Sequence, residues 1–404
     1  MGSILGLLVL GIMLFGCTSM NNGDYTNYTD YIDNYTDYTD YTQNYTTDHT
    51  NNVTDVTNNT LVEKYRGGQI QIKSDKDFTA ANGVVKGSGT SSDPYIIEGW
   101  TIDASNISDT SYIDHGIYVY DTSKYFVIRN CRVENATGYG NGISLFSVSN
   151  GRIENCTIAN NYGGILIDGS YNIIVSGNTI KDCKDEGMPD GTHSNNNVTI
   201  SNNIITNCKR EGISFHNFKN SFVINNTIRN GGSGIRITAT INSTISNNTV
   251  QGNLYSGIEL SYSNWKDGDH NTVSNNDVSN NGGTGLSISG NYNTITYNTL
   301  NGNDWGIQLA SVGLTDISAG HNLISHNTAS NNKRIGFSID LGCVNNTISD
   351  NTFVSNNANN EFYIDTWGTK QRLPSWYDMD IFSVKVGNSN TFTNNTYGTI
   401  TYNN

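Results

Sequence analysis

The residues whose types could carry chemistry gather in the middle of this 404-residue chain. Asp168, Glu186, Asp190, His193, Glu211, His216, Arg236 and Glu259 bring carboxylates, imidazoles and a guanidinium into a stretch otherwise rich in Asn, Ser, Thr and Ile. Taking the α-proton from a uronate needs such a set: a guanidinium or Ca²⁺ to neutralise the sugar carboxylate, and a base for the proton. In that reading Glu211, His216, Arg236 and Asp168 are the catalytic candidates, while Glu186, Asp190, His193 and Glu259 line a binding site. The bland alternative makes Glu186 and Glu211 corner residues facing water and His216 a single solvated side chain. Longer segments after Gly257 and Gly306 add Trp265, Lys266, Asp267, Asp269 and Asp316. An exposed Trp beside polar groups is a sugar-stacking device. His270 and His321 suggest metal ligands at first, but they stand where Asn stands elsewhere (Asn150, Asn172, Asn197, Asn242, Asn345). Histidine also tolerates a left-handed turn, so turn filler is their expected role.

Something must position these residues, and the sequence supplies it as a period. A Gly followed by an apolar residue recurs from Gly116-Ile117 to Gly336-Phe337 at steps of 21 to 30 residues. After each Gly, apolar and polar residues alternate, as in Gly164-Ile-Leu-Ile-Asp168 and Gly234-Ile-Arg-Ile-Thr238. Such alternation is a strand with one buried face. About eleven residues later comes a second element, for example Ile153-Glu-Asn-Cys156-Thr-Ile158 or Ile245-Ser-Asn-Asn248-Thr-Val250. Two short strands per repeat cannot bury their apolar faces alone; stacked in parallel, they form one continuous core. The fourth position of the second element is Asn at 178, 203, 226, 248, 276, 298, 327, 351 and 395. In register these amides form an internal ladder, which gives each buried amide a partner. The remaining outward positions of the Gly strands, Tyr118, Tyr120 and Phe146 among them, read as bland.

Cys131 and Cys156 hold the ladder position in the two earliest coils, and Cys183 and Cys208 occupy a second pair of equivalent positions. Stacked residues lie about 4.8 Å apart, within reach of a disulfide. Both pairs are therefore expected either as disulfides or as free thiols filling small core positions. The formal net charge is −14, from 36 acidic against 22 basic residues. A phosphate backbone is repelled by such a surface, so nucleic acid is excluded as a partner, and water, cations and neutral glycans suit it better.

The ends of the chain differ from the repeat. Residues 1–20 read as a signal peptide, with Leu14-Phe15-Gly16-Cys17 resembling a lipobox whose Cys17 would carry the lipid. Residues 21–62 are expected to form a Tyr/Thr/Asn stalk with almost nothing aliphatic to bury and with sequons at Asn27, Asn34, Asn44, Asn52 and Asn58. Residues 63–97 are expected to cap the first coil. The β-helix then fills 98–404, with an insertion at 361–388 carrying Trp367, Pro374, Trp376 and Tyr377 that is expected to fold over the last coils.

These repeats carry a family likeness. Residues from about 98 to 400 resemble the pectate-lyase-like right-handed parallel β-helix repeat proteins, including those labelled NosD-like. The segment Gly87-Ser-Gly-Thr-Ser-Ser-Asp-Pro-Tyr-Ile-Ile-Glu-Gly-Trp-Thr-Ile-Asp103 looks like the opening of archaeal cell-surface members. The resemblance implies an all-β, right-handed parallel solenoid of about ten coils on a scaffold that hosts lyases, hydrolases, epimerases and adhesins. The paired Asp-Asp and Gly-His-Gly of polygalacturonases are missing, as is the Asp-Pro-His of C5-epimerases. A NosD likeness also implies copper, but the five Met and seven His are scattered, leaving no soft ligand set. No cofactor is expected, with Ca²⁺ the one ion those carboxylates could take. The expectation is a membrane-anchored, extracellular protein that engages a polysaccharide or another envelope component. Its rivals are a polysaccharide lyase or glycosidase, and a purely structural envelope element.

Overall fold

The computed structural model describes residues 64–105, 115–189, 191–261, 269–310, 319–340 and 343–356, and the strands 363–366, 369–372, 381–383 and 391–397 with residue 390. The expected signal peptide, Cys17 and the stalk lie outside the described residues. The fold is the expected right-handed parallel β-helix, nearly free of helix.

Each coil holds three short strands rather than two. The second element is split by a left-handed residue, such as Asn155 (φ 54°) or Asn247 (φ 56°), that turns the chain between two strands. Asparagine tolerates that conformation better than most residues with a β-carbon. Strand alternation survives on both sides of the turn, so the pattern alone reads as one longer strand.

The Gly strands stack into a first sheet in two parts. Four strands run from Ile70–Ile72 to Gly163–Asp168, and seven run from Glu211–His216 to Ile381–Ser383. The coil between them keeps one bridge there, Met188 against Ile213. Its next residue, Pro189, has no N–H to give to a ladder. The second sheet has 13 strands in its main order, with Phe218–Lys219 pairing off that path as a fourteenth, and the third has 13. Register puts like on like, as in Ile165 beside Ile143 and Ile245 beside Val273, and these side chains are fully buried. The Gly column is a steric demand. A β-carbon on Gly234 would lie 2.2 Å from Val250 Cγ1 and 2.3 Å from Gly257 O.

The expected Asn ladder runs unbroken. Asn178 Nδ2 donates to Asn203 Oδ1 at 3.0 Å, and the chain continues through 226, 248, 276, 298, 327 and 351 to 395. Two further corners carry side-chain ladders that the sequence reading missed. One links Asn253, Asn281, Asn303, Asn332 and Asn356 through amide–amide bonds. The other runs from Asn271 to Asn390 through backbone N–H groups that donate to the next Oδ1. The signal was legible: Asn271, Asn276 and Asn281 are spaced by five, one for each corner.

Residues 64–97 finish the N-terminal end by joining the stack. Lys64–Gly67 and Ile70–Ile72 pair in parallel with the first full coil, and Val84–Lys86 lies antiparallel on Tyr95–Glu98. Within the C-terminal insertion Tyr363–Thr366 and Thr369–Arg372 form an antiparallel hairpin, a two-stranded sheet of their own. How its Trp and Pro residues pack lies outside the described residues. The two cysteine pairs, expected as disulfides or as thiols, are free buried thiols, as is Cys343.

Ladder bonds have a measurable consequence. Asn226 Oδ1 accepts from the N–H and the amide of Asn203 (3.0 and 2.9 Å), and its Nδ2 donates to Ile200 O at 3.0 Å. Asn226→Ala leaves those buried groups unpaired and is expected to cost about 2–4 kcal/mol. Asn225→Gly, at the exposed left-handed position beside it, is expected to stay within about 0.5 kcal/mol. Urea unfolding of both variants checks this, and equal midpoints would refute the ladder's role.

Candidate functional site

The outward residues of the first sheet stand in two columns. Tyr120, Phe146 and Asp168 are successive in register, and beyond the interrupted coil the column continues as His216, Thr238 and Ser261. Alongside run Tyr118, Ser144 and Leu166, then Ser214, Arg236 and Glu259. The ladder thus fixes which side chains are neighbours, at one strand spacing of about 4.8 Å per coil.

Three groups result. The first is aromatic. The Tyr118 and Tyr120 rings lie 6.2 Å apart and nearly parallel, and Phe146 is 5.7 Å from Tyr118. His115 stacks behind Tyr118 at 5.6 Å, and its Nδ1 accepts the Asn141 N–H at 3.0 Å. Burial pushes the His115 imidazole down to about 4, so it is neutral at ordinary pH. Tyr120 keeps 42% of its surface exposed, an open aromatic edge at the end of the group.

The second group follows directly in register. The buried Asp168 carboxylate accepts from the His193 N–H at 2.6 Å, lies 3.0 Å from His193 Nδ1, and accepts from Thr192 Oγ1 at 3.4 Å. Gly191 permits this close approach, because a β-carbon there would come within 2.4 Å of the carboxylate. The His193 side chain itself is 76% exposed.

The third group sits at the other end of the strands, where the residues just before Gly187 and Gly212 gather with Arg210 and Arg236. Glu211 meets Arg236 at 3.4 Å and Arg210 at 3.5 Å, and Arg210 also meets Glu186 at 3.5 Å and Asp185 at 3.7 Å. Glu186 and Glu211 are buried rather than solvated, which removes the bland corner reading. Both arginines on this face are committed to carboxylates.

Of the four catalytic candidates, the structure therefore joins only Glu211 with Arg236. Glu211 and His216 are five residues apart on one extended strand, about 16 Å, and cannot share one sugar carbon. Asp168 pairs instead with His193, two coils from His216. Glu259 accepts from Ser261 Oγ on its own strand at 2.7 Å. Asp269 is a buried turn residue whose carboxylate accepts the Asn291 N–H at 2.8 Å, so it is not the exposed sugar ligand expected. Asp190, Trp265, Lys266, Asp267 and Asp316 lie outside the described residues. His270 (φ 51°) and His321 (φ 56°) are left-handed turn residues as expected, stacked on either side of Tyr292 at 5.4 and 4.6 Å. Among the described residues no three His, Cys, Asp or Glu side chains converge as a metal-holding group. The aromatic group is what sequence reasoning missed. Its signal was the recurrence of rings at one position, Tyr120 and then Phe146, with Tyr118 two residues before the first.

The family model for the right handed beta helix region matches residues 84–240, 192–317 and 233–404, most of the chain. This chain belongs to that family. Among solved structures, this β-helix is similar to the A-module of mannuronan C-5 epimerase AlgE4 of Azotobacter vinelandii. The TM-score is 0.53 at 14% identity, over 76% of this chain and 87% of that module. The A-module of AlgE6 from the same organism gives 0.51 at 12% identity, over 76% of this chain and 89% of the other. At such identities the likeness is one of fold.

The buried imidazole of this β-helix gives it a pH dependence. The folded state holds His115 below its unfolded value near 6.5, so the unfolded chain binds more protons between those two values. This contribution to stability is complete above pH 6.5 and is lost as pH falls towards 4, by roughly 2–4 kcal/mol. Unfolding midpoints of wild type and His115→Gln at pH 7.5 and 4.5 are expected to show a smaller acid loss in the variant. An equal loss in both would refute this assignment.

Proposed function

We propose that the outward face of the first sheet binds a neutral extracellular polysaccharide, with the protein held at the cell surface through a lipidated Cys17. The observation that carries the binding reading is the contiguous aromatic group of Tyr118, Tyr120 and Phe146, the last two in register, beside the Asp168–His193 pair. Aromatic surfaces cover the apolar faces of sugars, and a neighbouring carboxylate and imidazole take their hydroxyls. A rigid ladder holds these groups in one line, which matches a polymer better than a single small molecule.

The preference for neutral sugars follows from charge. Arg210 and Arg236 are already paired with Asp185, Glu186 and Glu211, and the chain carries a net −14. A uronate chain arriving at this face meets carboxylates whose arginine partners are already engaged. Binding without turnover fits the separation of Glu211 from His216. The observation that favours an enzyme instead is the Asp168–His193 contact, since an exposed imidazole on a buried carboxylate is a general-base arrangement. The solved epimerase modules show that the same scaffold serves polysaccharide chemistry in other proteins.

An array of neutral, amino and uronate polysaccharides, with and without Ca²⁺, tests the reading. Neutral glycans are expected to bind, with Tyr120→Ala and Phe146→Ala each weakening them about tenfold, the equivalent of about 1.4 kcal/mol. Binding to uronates alone, or unchanged affinity in both variants, would overturn it. New reducing or unsaturated ends that disappear in His193→Ala would establish the enzyme.

A further inference from the structure

Eight Asn-x-Ser/Thr sequons fall within the described part of the solenoid, at Asn135, Asn155, Asn197, Asn225, Asn242, Asn247, Asn345 and Asn394. Every one of these asparagines is left-handed, with φ between 51° and 64°. Seven are exposed. Asn135 is half-buried, and its Nδ2 donates to Asp103 Oδ1 at 3.2 Å.

The seven are confined to the two corners that flank the second sheet. Asn197, Asn242 and Asn345 stand where that sheet begins, and Asn155, Asn225, Asn247 and Asn394 where it ends. The fold explains the motif. Each corner needs a left-handed residue facing water, then a small or amide side chain buried against the next coil, then a strand residue that is often Thr. Asn225-Asn226-Thr227 and Asn247-Asn248-Thr249 are that sequence, and both read as sequons. At the third corner, which leads towards the first sheet, Asn160, Asn207, Asn230, Asn280 and Asn331 are left-handed too. Two residues on come Tyr162, Lys209, Gly232, Gly282 and Lys333, so none of them is a sequon. The same motif recurs five times in residues 21–62.

We propose that the seven exposed corner asparagines are N-glycosylation sites, which sheathe both edges of the second sheet in sugar; among the described residues no exposed sequon opens onto the first sheet. In the transfer, Nδ2 attacks the anomeric carbon of a lipid-phosphate-linked oligosaccharide. The N–C bond forms as the C–O bond to phosphate breaks, the lipid phosphate leaves with the electron pair, and the amide gives up one proton. A transferase of the exporting cell performs this step. The acceptor must enter the transferase in an open conformation, so transfer precedes the stacking of the coils. The folded structure then decides which products fold: an exposed asparagine carries the glycan outwards, and the half-buried Asn135, packed on Asp103, does not. Three of the seven give up an outward bond in doing so, Asn197 to Asn172 (3.2 Å), Asn247 to Ser246 (3.4 Å) and Asn345 to His321 (3.3 Å).

The test is peptide mass spectrometry on the full chain isolated from the cells that make it, before and after an amidase that converts each glycosylated Asn to Asp. Sugar-bearing peptides are expected at the seven corner sites, and an unmodified Asn135. Thr227→Ala, which removes one sequon without touching the ladder, is expected to lose the Asn225 glycan, while Thr227→Ser keeps it. Sugar confined to residues 21–62, or a polypeptide mass with no sugar, would overturn the proposal. A glycan on Asn135 would overturn the solvent-access argument behind it.

Discussion

A parallel solenoid leaves its sheets three times in every coil, and each departure strands backbone N–H and C=O groups in the interior. Water cannot reach them, and the strand ladders on either side cannot serve them. A buried asparagine resolves this, since one amide both donates and accepts along the axis. Asn276 shows the pattern. Its side chain donates to Ile245 O at 3.0 Å and to Asn298 Oδ1 at 2.9 Å, while its Oδ1 takes the N–H of Asn248 at 2.9 Å. Register follows from these bonds, because a coil that slipped by one residue would break the amide column and turn its Ile and Val outwards. The unusual Asn content of the chain is thus the composition of its corners.

Much of this was legible. The Gly-apolar period gave the stacking, and the nine ladder positions were readable because identical residues recurred at one place in a clear motif. The third strand was hidden, since Asn155 or Asn247 turns the chain without interrupting the apolar-polar alternation. The site was less legible. Glu211 and His216 look close in sequence and in type, but an extended strand separates side chains five positions apart by about 16 Å. The Asp168–His193 pair spans two coils, and it forms because Gly191 lets the chain close over the carboxylate. Nothing in a period reveals such a contact. Asp269 was grouped with the binding residues of the long segment it adjoins; it is buried and its carboxylate serves a turn.

The faces of the solenoid divide their work. The first sheet carries the aromatic group, the carboxylate–imidazole pair and the ion-paired cluster, and it is interrupted in the coil of Pro189. The second sheet presents mainly Thr and Ser between its left-handed corners, with occasional exposed rings such as Phe222. Its chemistry is that of a surface to be hydrated or covered. A stack with its turns held by amides keeps each column in line, which suits repeated contact with a polymer.

Hydroxyl-radical footprinting of the protein with and without a bound neutral polysaccharide tests the central claim most directly, because rings on both faces report together. Tyr120, Phe146 and His193 are expected to lose oxidation on binding, while Tyr171 and Tyr297, exposed along the second sheet, keep theirs. Protection of Tyr171 and Tyr297 with Tyr120 unchanged would place the polymer on the wrong face and contradict the account.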